Sequence, residues 1–182
     1  LHTDEITAVV ERGIHVFVEK PQSLDMPQAE AFARAIEKAG VVSQVGFMSR
    51  YYESAQFVKE LLEKRRPRHA QLQLFYSGAH VRYWTSRYEL FGGSFVENTI
   101  RMVDLLRFCL RDINKVAAFY FMRRPDEGPE PVNLPHAYDV NYCCASGGVA
   151  KATTSGVLTN VKASRGEVLI VSDDSLIEWS GT

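Results

Sequence analysis

The stretch IHVFVEKPQSLDMPQAEAFARAIEKAGVVSQVGF, residues 14–47, decides the fold of the first part of the chain. It opens with an almost continuous apolar run, Ile14–Val18, which is typical of parallel strands covered on both faces. A helix is predicted next, because Asp25 stands three residues before a glutamine, as in a capping box, and Gly40 is placed to end it. Val41–Phe47 follows as a second strand. Two strands joined by a helix of this length should be parallel, with a right-handed crossover.

Glu19, Lys20 and Pro21 follow the first predicted strand directly. Ligands of open parallel sheets bind beyond the carboxyl ends of the strands. Pro21 fixes the backbone at this edge and biases Lys20 towards extended geometry. An ammonium held at the mouth of a crevice can donate to a substrate hydroxyl or carbonyl, and partial desolvation would lower its pKa enough for proton transfer. The alternative is a Glu-Lys pair on a solvent-exposed loop.

The pattern changes beyond Tyr51. Apolar residues at helical spacing predict helices over Ala55–Lys64 and Ser94–Leu110. Late strand-like runs without helices between them predict an antiparallel or mixed sheet. Strands are expected at His69–Tyr76, Val116–Met122, Ala137–Ala145, Gly148–Thr159, Glu167–Val171 and Leu176–Trp179. The sequence thus predicts an α/β (α+β) chain, with a small parallel unit in residues 1–48 and a large open, mostly antiparallel sheet in residues 49–182.

A second candidate site lies in GGSFVENTIRMVD, residues 92–104. Glu97 and Arg101 stand four residues apart and Arg101 and Asp104 three apart, so all three share one helix face. One interpretation is a ladder of intrahelical ion pairs, each worth a few tenths of a kcal/mol when exposed, roughly. The other is that Glu97 and Arg101 face a cleft and bind an anionic or polyhydroxy substrate.

The segment HVRYWTSRYELF, residues 80–91, is rich in aromatic residues and arginines. Tyr83 and Trp84 could line a sugar-binding pocket, because aromatic rings pack against apolar faces while neighbouring polar groups fix orientation. A packed surface loop explains the same residues equally well.

Composition excludes several classes of protein. The 182 residues carry a net charge of -1 and a pI near 6.6, which argues against bulk nucleic-acid binding. No apolar run approaches the roughly 20 residues of a membrane span. Cys109, Cys143 and Cys144 lack the spacing of a zinc site, so no metal is predicted, and they are interpreted as thiols of a reducing cytoplasm.

Together, the Glu-Lys-Pro after a strand, the VGFMSRY strand and GGSFVENTIRMVDLLRF resemble the Gfo/Idh/MocA family of NAD(P)-dependent oxidoreductases. The resemblance implies an N-terminal Rossmann domain that binds NAD or NADP. It places Glu19, Lys20 and Pro21 at the cofactor edge, with Lys20 pointing at the nicotinamide and the substrate. It also implies that the second domain holds a sugar, cyclitol or related polyol and forms a homo-oligomer through its open sheet.

The sequence departs from the family pattern in two ways. It contains no G-x-G-x-x-G, so the resemblance implies that residues 1–48 are the C-terminal remnant of the Rossmann domain, with weak or absent NAD(P) binding. Aligning Gly92–Gly93 and Asp104 with the family places Glu97 at an acidic position, and Arg101 where a histidine commonly serves as acid/base. Arginine stays protonated and is a poor base, although it could stabilise an alkoxide or hold a carboxylate.

These observations predict a fragment of a nicotinamide-dependent oxidoreductase, which transfers hydride at a hydroxyl or carbonyl carbon of a sugar, cyclitol or related polyol. Lys20 would polarise or protonate the reacting oxygen, and Glu97 and Arg101 would orient the substrate. The alternative is a catalytically impaired family member that acts as a ligand-binding or oligomerisation module.

Overall fold

The computed structural model describes residues 2, 4–77, 88–122, 124, 134–158 and 161–181. The first part contains α1 (Glu5–Val10), β1 (Val16–Val18), α2 (Met26–Ala39) and β2 (Ser43–Val45). A 3₁₀ turn (Met48–Tyr51), α3 (Glu53–Glu63), β3 (Pro67–Ser77) and α4 (Tyr88–Phe91) follow. A π-helical turn (Phe95–Thr99) then runs into α5 (Ile100–Leu110). The last strands are β4 (Ile113–Met122), β5 (Pro135–Cys144), β6 (Val149–Leu158), β7 (Ser164–Ser172) and β8 (Leu176–Gly181).

The first four elements form the predicted small parallel unit. β1 and β2 pair in parallel, with Val16 opposite Ser43. A small core of Ile6, Val10, Val18 and Phe32 lies between the helices and this sheet. The second strand is shorter than predicted because the chain turns away after the Gly46 N–H has bonded to the Val18 carbonyl at 2.8 Å.

The start of α2 confirms half of the predicted capping box. The Asp25 carboxylate accepts the backbone N–H of Gln28 at 2.8 Å. The Gln28 side chain does not return the bond; its Oε1 accepts from Ser23 Oγ at 2.7 Å, and Ser23 Oγ accepts the Asp25 N–H. At the other end Gly40, with φ at 64°, ends the helix as predicted.

The large sheet has the strand order β4-β5-β6-β3-β7-β8. β3 runs parallel to β6, and the other neighbouring strands are antiparallel. α3 and α5 cover one face, where their apolar sides pack on alternate strand residues such as Leu72 and Ile170. The fold class predicted from the sequence, a small parallel sheet followed by a larger, mostly antiparallel one, is therefore confirmed.

The opposite face of the large sheet is polar in its centre. Lys151 Nζ lies 3.0 Å from Asp139 Oδ2, and Thr153 donates to the same carboxylate at 2.6 Å. At the edge, β4 is exposed along most of its length, and Phe119 keeps 73% of its accessible surface. An edge strand with large apolar side chains is a surface suited to contact with another protein.

We expect Asp25→Ala to lower the free energy of unfolding by about 1 kcal/mol, because the cap of α2 loses its acceptor. Asp4→Ala is the matched control, since Asp4 stands at the N-cap of α1 without a side-chain capping bond. Asp4→Ala should lower the free energy of unfolding by about 0.5 kcal/mol or less, because only the interaction of the carboxylate with the helix dipole is lost. Urea unfolding of both variants measures the difference, and equal losses would contradict the assigned role of the cap.

Candidate active site

The Lys20 side chain leaves the end of β1 and reaches the second half of the chain. Its Nζ donates to Glu97 Oε1 at 2.5 Å and to the Glu97 carbonyl at 2.6 Å, across 77 residues of sequence. The lysine side chain is 6% exposed and that of Glu97 22%. Lys20 is therefore a nearly buried cation with an anionic partner, and the interpretation of a solvent-exposed Glu-Lys pair is wrong for this residue.

A double glycine and a π-helical turn bring Glu97 to this position. Gly92 and Gly93 have φ values of 70° and 85°, which L-residues with side chains rarely adopt. A Cβ on Gly92 would also lie 2.8 Å from Leu24 Cδ2, so the loop after Pro21 packs directly on this glycine. The wide turn Phe95–Thr99 then presents both the carboxylate and the carbonyl of Glu97 to Lys20. π turns of this kind are frequent at functional sites.

Arg50 makes a second contact between the same two parts of the chain. It lies in the 3₁₀ turn after β2, and its Nε and Nη2 donate to the two carboxylate oxygens of Asp104 at 2.7 and 2.5 Å. Asp104 is only 5% exposed. The hydrogen bond to this carboxylate raises the pKa of Arg50 above its usual value, so the guanidinium stays charged. The Arg50 guanidinium also lies 5.4 Å from the centre of the Phe108 ring.

Of the two interpretations of this helix, the ladder of intrahelical ion pairs is wrong. Glu97 pairs with Lys20 and Asp104 with Arg50, because each of these cations reaches a carboxylate that is poorly solvated. Arg101 lies between the two pairs along the helix. Its Nη1 contacts Asn98 Oδ1 at 3.4 Å, and among the described residues no carboxylate lies within 4.0 Å of its guanidinium.

Of the other predicted site residues, the structure describes Glu19 and Pro21, which flank Lys20. Glu19 lies beside Lys20, where a Cβ on Gly46 would approach its Oε2 to 3.0 Å, so the glycine permits close contact between the two strand ends. Pro21 follows through a cis peptide bond. Tyr83 and Trp84 lie outside the described residues, and their assignment to a sugar pocket stays a prediction, as do the roles of Lys20, Glu97 and Arg101.

Sequence reasoning did not anticipate the contribution of Tyr138. Its hydroxyl would lie 3.2 Å from a Cβ on Gly93, and its ring packs on Phe95 at 5.0 Å between centroids. Burial raises the pKa of Tyr138 to about 12, partly opposed by the hydrogen bond with Ser94. Tyr138 thus supports the double glycine from the large sheet. The available signal was its place in an alternating strand, which predicts an inward side chain but no partner.

Neither a metal site nor a membrane span emerges from the described residues. No group of three or more His, Cys, Asp or Glu is placed there to hold a metal ion. Nor does that part of the chain contain a helix long and apolar enough to cross a bilayer. The cysteines are free; Cys109 and Cys144 are buried, Cys143 is exposed, and burial raises the pKa of Cys109 to about 11.

The sequence is similar to those of known oxidoreductases. Residues 1–47 match the model of the GFO_IDH_MocA family, described as an oxidoreductase family with an NAD-binding Rossmann fold. Over 115 residues the chain is 30% identical to scyllo-inositol 2-dehydrogenase (NAD(+)) of Bacillus subtilis (strain 168), covering 60% of this chain and 32% of that protein. It is 29% identical over 117 residues to 1,5-anhydro-D-fructose reductase of Ensifer adhaerens, covering 62% of this chain and 35% of the reductase.

Solved structures extend the likeness of fold to nearly the whole chain. The WlbA dehydrogenase from Bordetella pertussis, in complex with NADH and UDP-GlcNAcA, superposes with a TM-score of 0.83 at 20% identity. That match covers 97% of this chain and 55% of the dehydrogenase, so the chain spans about half of that structure. The curated relatives are matched over about a third of their length. The resemblance to the Gfo/Idh/MocA oxidoreductases is confirmed.

The buried Arg50–Asp104 pair should contribute more to stability than an exposed pair of the same residue types. We expect Asp104→Asn to lower the free energy of unfolding by about 2 kcal/mol, because the negative charge and one of the two acceptors of Arg50 are lost at a poorly solvated position. Asp112→Asn is the control, since Arg107–Asp112 is a pair in which Asp112 is 75% exposed. Chemical denaturation should show a loss of about 0.5 kcal/mol or less there.

Tyr138 and Tyr142 offer a second comparison. The Tyr142 hydroxyl is buried without a hydrogen-bond partner among the described residues, so Tyr142→Phe should be neutral or stabilising by up to about 1 kcal/mol. Tyr138→Phe should destabilise by about 1 kcal/mol, because Ser94 loses its partner. Thermal or urea unfolding at neutral pH measures the change in stability for each variant, and a loss for Tyr142→Phe or no loss for Tyr138→Phe would contradict the prediction.

The same two tyrosines give stability a dependence on alkaline pH. Burial raises both pKa values from 10.0 to about 12, so the folded state favours the neutral phenol. Their contribution is complete below about pH 10, the unfolded value, and is lost as the pH rises towards 12. Each phenylalanine variant should show a shallower alkaline decline in unfolding free energy than the wild type, and an unchanged slope would contradict this assignment.

Proposed function

We propose, from the match to the Gfo/Idh/MocA oxidoreductases, that this protein is a nicotinamide-dependent oxidoreductase. Its substrate would be a sugar, cyclitol or related polyol, oxidised or reduced at a hydroxyl or carbonyl carbon. Two curated relatives are named for an inositol and an anhydro sugar, which supports this class. The observation that carries the proposal is the nearly buried Lys20, fixed by Glu97 at the carboxyl edge of the parallel sheet.

The residues at this edge fit the nicotinamide end of NAD or NADP. Lys20 supplies a hydrogen-bond donor beside the glycine-lined end of β2, and Glu19 and Pro21 complete the strand end. When bound, the nicotinamide ring would supply or accept the hydride. No residues are assigned to the pyrophosphate, because the sequence contains no G-x-G-x-x-G. We therefore expect this chain to bind the cofactor weakly.

Lys20 has the donors that the reaction needs. An ammonium carries three N–H groups, and two of them are directed at Glu97, which leaves one for a substrate oxygen. As charge develops on a carbonyl oxygen during reduction, Lys20 Nζ would give it a proton and recover one from solvent. The oxidation would run the same proton transfer in reverse. Glu97 would hold the amine at a fixed position through both directions.

Arg101 would act on the substrate without exchanging protons. Its guanidinium stays protonated at any physiological pH, so it orients the substrate or stabilises negative charge. Proton transfer then rests on Lys20, whereas the family resemblance gives that task to a histidine at the Arg101 position. A chain in which Lys20 also failed to act would be a ligand-binding or oligomerisation module.

We further propose that the protein forms a homo-oligomer through the open face of the large sheet, and that it works in the cytoplasm. Two observations support the oligomer. The open face carries the polar contacts of Asp139 with Lys151 and Thr153, and the edge strand beside it exposes Phe119. The buried free thiols Cys109 and Cys144 support the cytoplasmic location, because reduced cysteines persist in that compartment.

Turnover assays with Lys20 variants test the proposed reaction. At high NAD(H) or NADP(H) concentration, formation or loss of reduced nicotinamide should be observed with members of a polyol and sugar panel. Lys20→Ala should reduce kcat/KM by about 100-fold or more, as expected for the loss of a general acid. Lys38→Ala, at an exposed lysine in the last turn of α2, is the matched control and should leave the rate unchanged.

Folding of each variant is verified by circular dichroism and its unfolding midpoint, because Lys20→Ala also removes a buried ion pair. Lys20→Arg separates the two effects, since it keeps the charge but cannot exchange the proton. Binding of cofactor and polyol without turnover of any substrate would overturn the enzymatic proposal and favour the ligand-binding module.

A further inference from the structure

The charges along the helix face between Glu97 and Asp104 do not balance. Among the residues that the structure describes, Lys20, Arg101 and Arg50 supply three positive charges, whereas Glu97 and Asp104 supply two negative ones. We infer that the substrate of this site is a sugar acid, and that Arg101 binds its carboxylate. This inference rests on the proposed function, since it names the substrate class of the same site.

The unbalanced charge belongs to Arg101. Glu97 lies 2.5 Å from Lys20, and Asp104 accepts two hydrogen bonds from Arg50, so both carboxylates already have a cation at closer range. Within the described part of the chain, Arg101 has only the neutral amide oxygen of Asn98 as a partner, at 3.4 Å. Its side chain is half-buried, and a partly desolvated guanidinium is unfavourable unless an anion approaches it. An anionic ligand would remove this penalty.

The position of Arg101 relative to Lys20 fits one small molecule touching both. Glu97, which holds Lys20, directly precedes Asn98, whose amide oxygen accepts from Arg101 Nη1 at 3.4 Å. A hexuronic acid could therefore present a ring hydroxyl to Lys20 Nζ and its carboxylate to Arg101. A neutral polyol would reach the same donors but would leave the Arg101 charge without a counter-ion.

A carboxylate fits better than a phosphate. One carboxylate balances the single surplus positive charge, whereas a phosphate dianion would bring one negative charge too many into a partly desolvated site. The planar fork of arginine also matches the two oxygens of a carboxylate, with two parallel N–H···O bonds. Arg101 is thereby a specificity-determining residue, and its lack of a titratable proton is no disadvantage in that role.

Ligand-observed NMR with the protein tests the inference without requiring turnover. Glucuronate is compared with glucose, galacturonate with galactose, and glucose phosphate serves as the dianion. Each uronate should bind about tenfold or more tightly than its neutral partner, corresponding to a charge-assisted hydrogen-bonded pair. Arg101→Gln should abolish this preference, so that each uronate binds no more tightly than its neutral partner. Arg101→Lys should retain part of it.

Arg34→Gln is the matched control, because Arg34 is an exposed arginine on α2 with only a 3.5 Å contact to Glu30. It should leave the preference for uronates intact. Equal binding of uronate and neutral sugar, tighter binding of glucose phosphate, a preference that survives Arg101→Gln, or no binding of either uronate would overturn the inference. If a neutral polyol is turned over with NAD(P) while uronates show no preference, the sugar-acid inference fails and the oxidoreductase proposal stands.

Discussion

The contact between Lys20 and Glu97 is the interaction on which the arrangement of this chain depends. A lysine at the end of a strand normally extends into water, whereas here the ammonium is almost fully enclosed. Such enclosure is tolerated only when an anion and further acceptors replace the lost water, and the carboxylate and carbonyl of one residue do so. Glu97 lies in the π turn before α5, far along the chain from β1. The burial of the Lys20 ammonium therefore requires the end of β1 to lie against that turn.

A second ion pair, Arg50–Asp104, joins the same two parts of the chain. The ends of both parallel strands contact the helical segment that begins in the π turn, β1 through Lys20 and β2 through Arg50. Two contacts separated along one helical segment join the small sheet to it at two points. Glycines at the crossing points allow the backbones to approach, since a side chain at Gly92 would collide with Leu24. The residue between the two pairs, Arg101, therefore lies on a helical segment held at two points, which would suit the substrate-orienting role proposed for it.

Local features of the sequence were sufficient to predict the elements but not the contacts between them. Asp25 and Gly40 marked the ends of α2, and the apolar runs marked the strands, because caps and periodicity act within a few residues. Lys20 and Glu97 are separated by 77 residues, and no local rule pairs them. The local rule instead favoured Glu97 with Arg101, and it failed because Glu97 pairs with the nearly buried Lys20 rather than with the half-buried Arg101. The π turn and the exposed edge strand β4 likewise follow from tertiary contacts, which periodicity does not encode.

The topology of the large sheet has a consequence for how the chain reaches this state. β3 lies at the centre of the sheet, yet both of its neighbours come much later in the sequence: His69 pairs with Val149, and Ala70 with Ile170. During synthesis, therefore, the middle strand leaves the ribosome long before either neighbour exists, and both of its hydrogen-bonding edges must wait. Closing such long loops is entropically slow, so assembly of the sheet is governed by its last strands to be made. The sheet on which α3 and α5 pack is therefore completed only after β6 and β7 have been made.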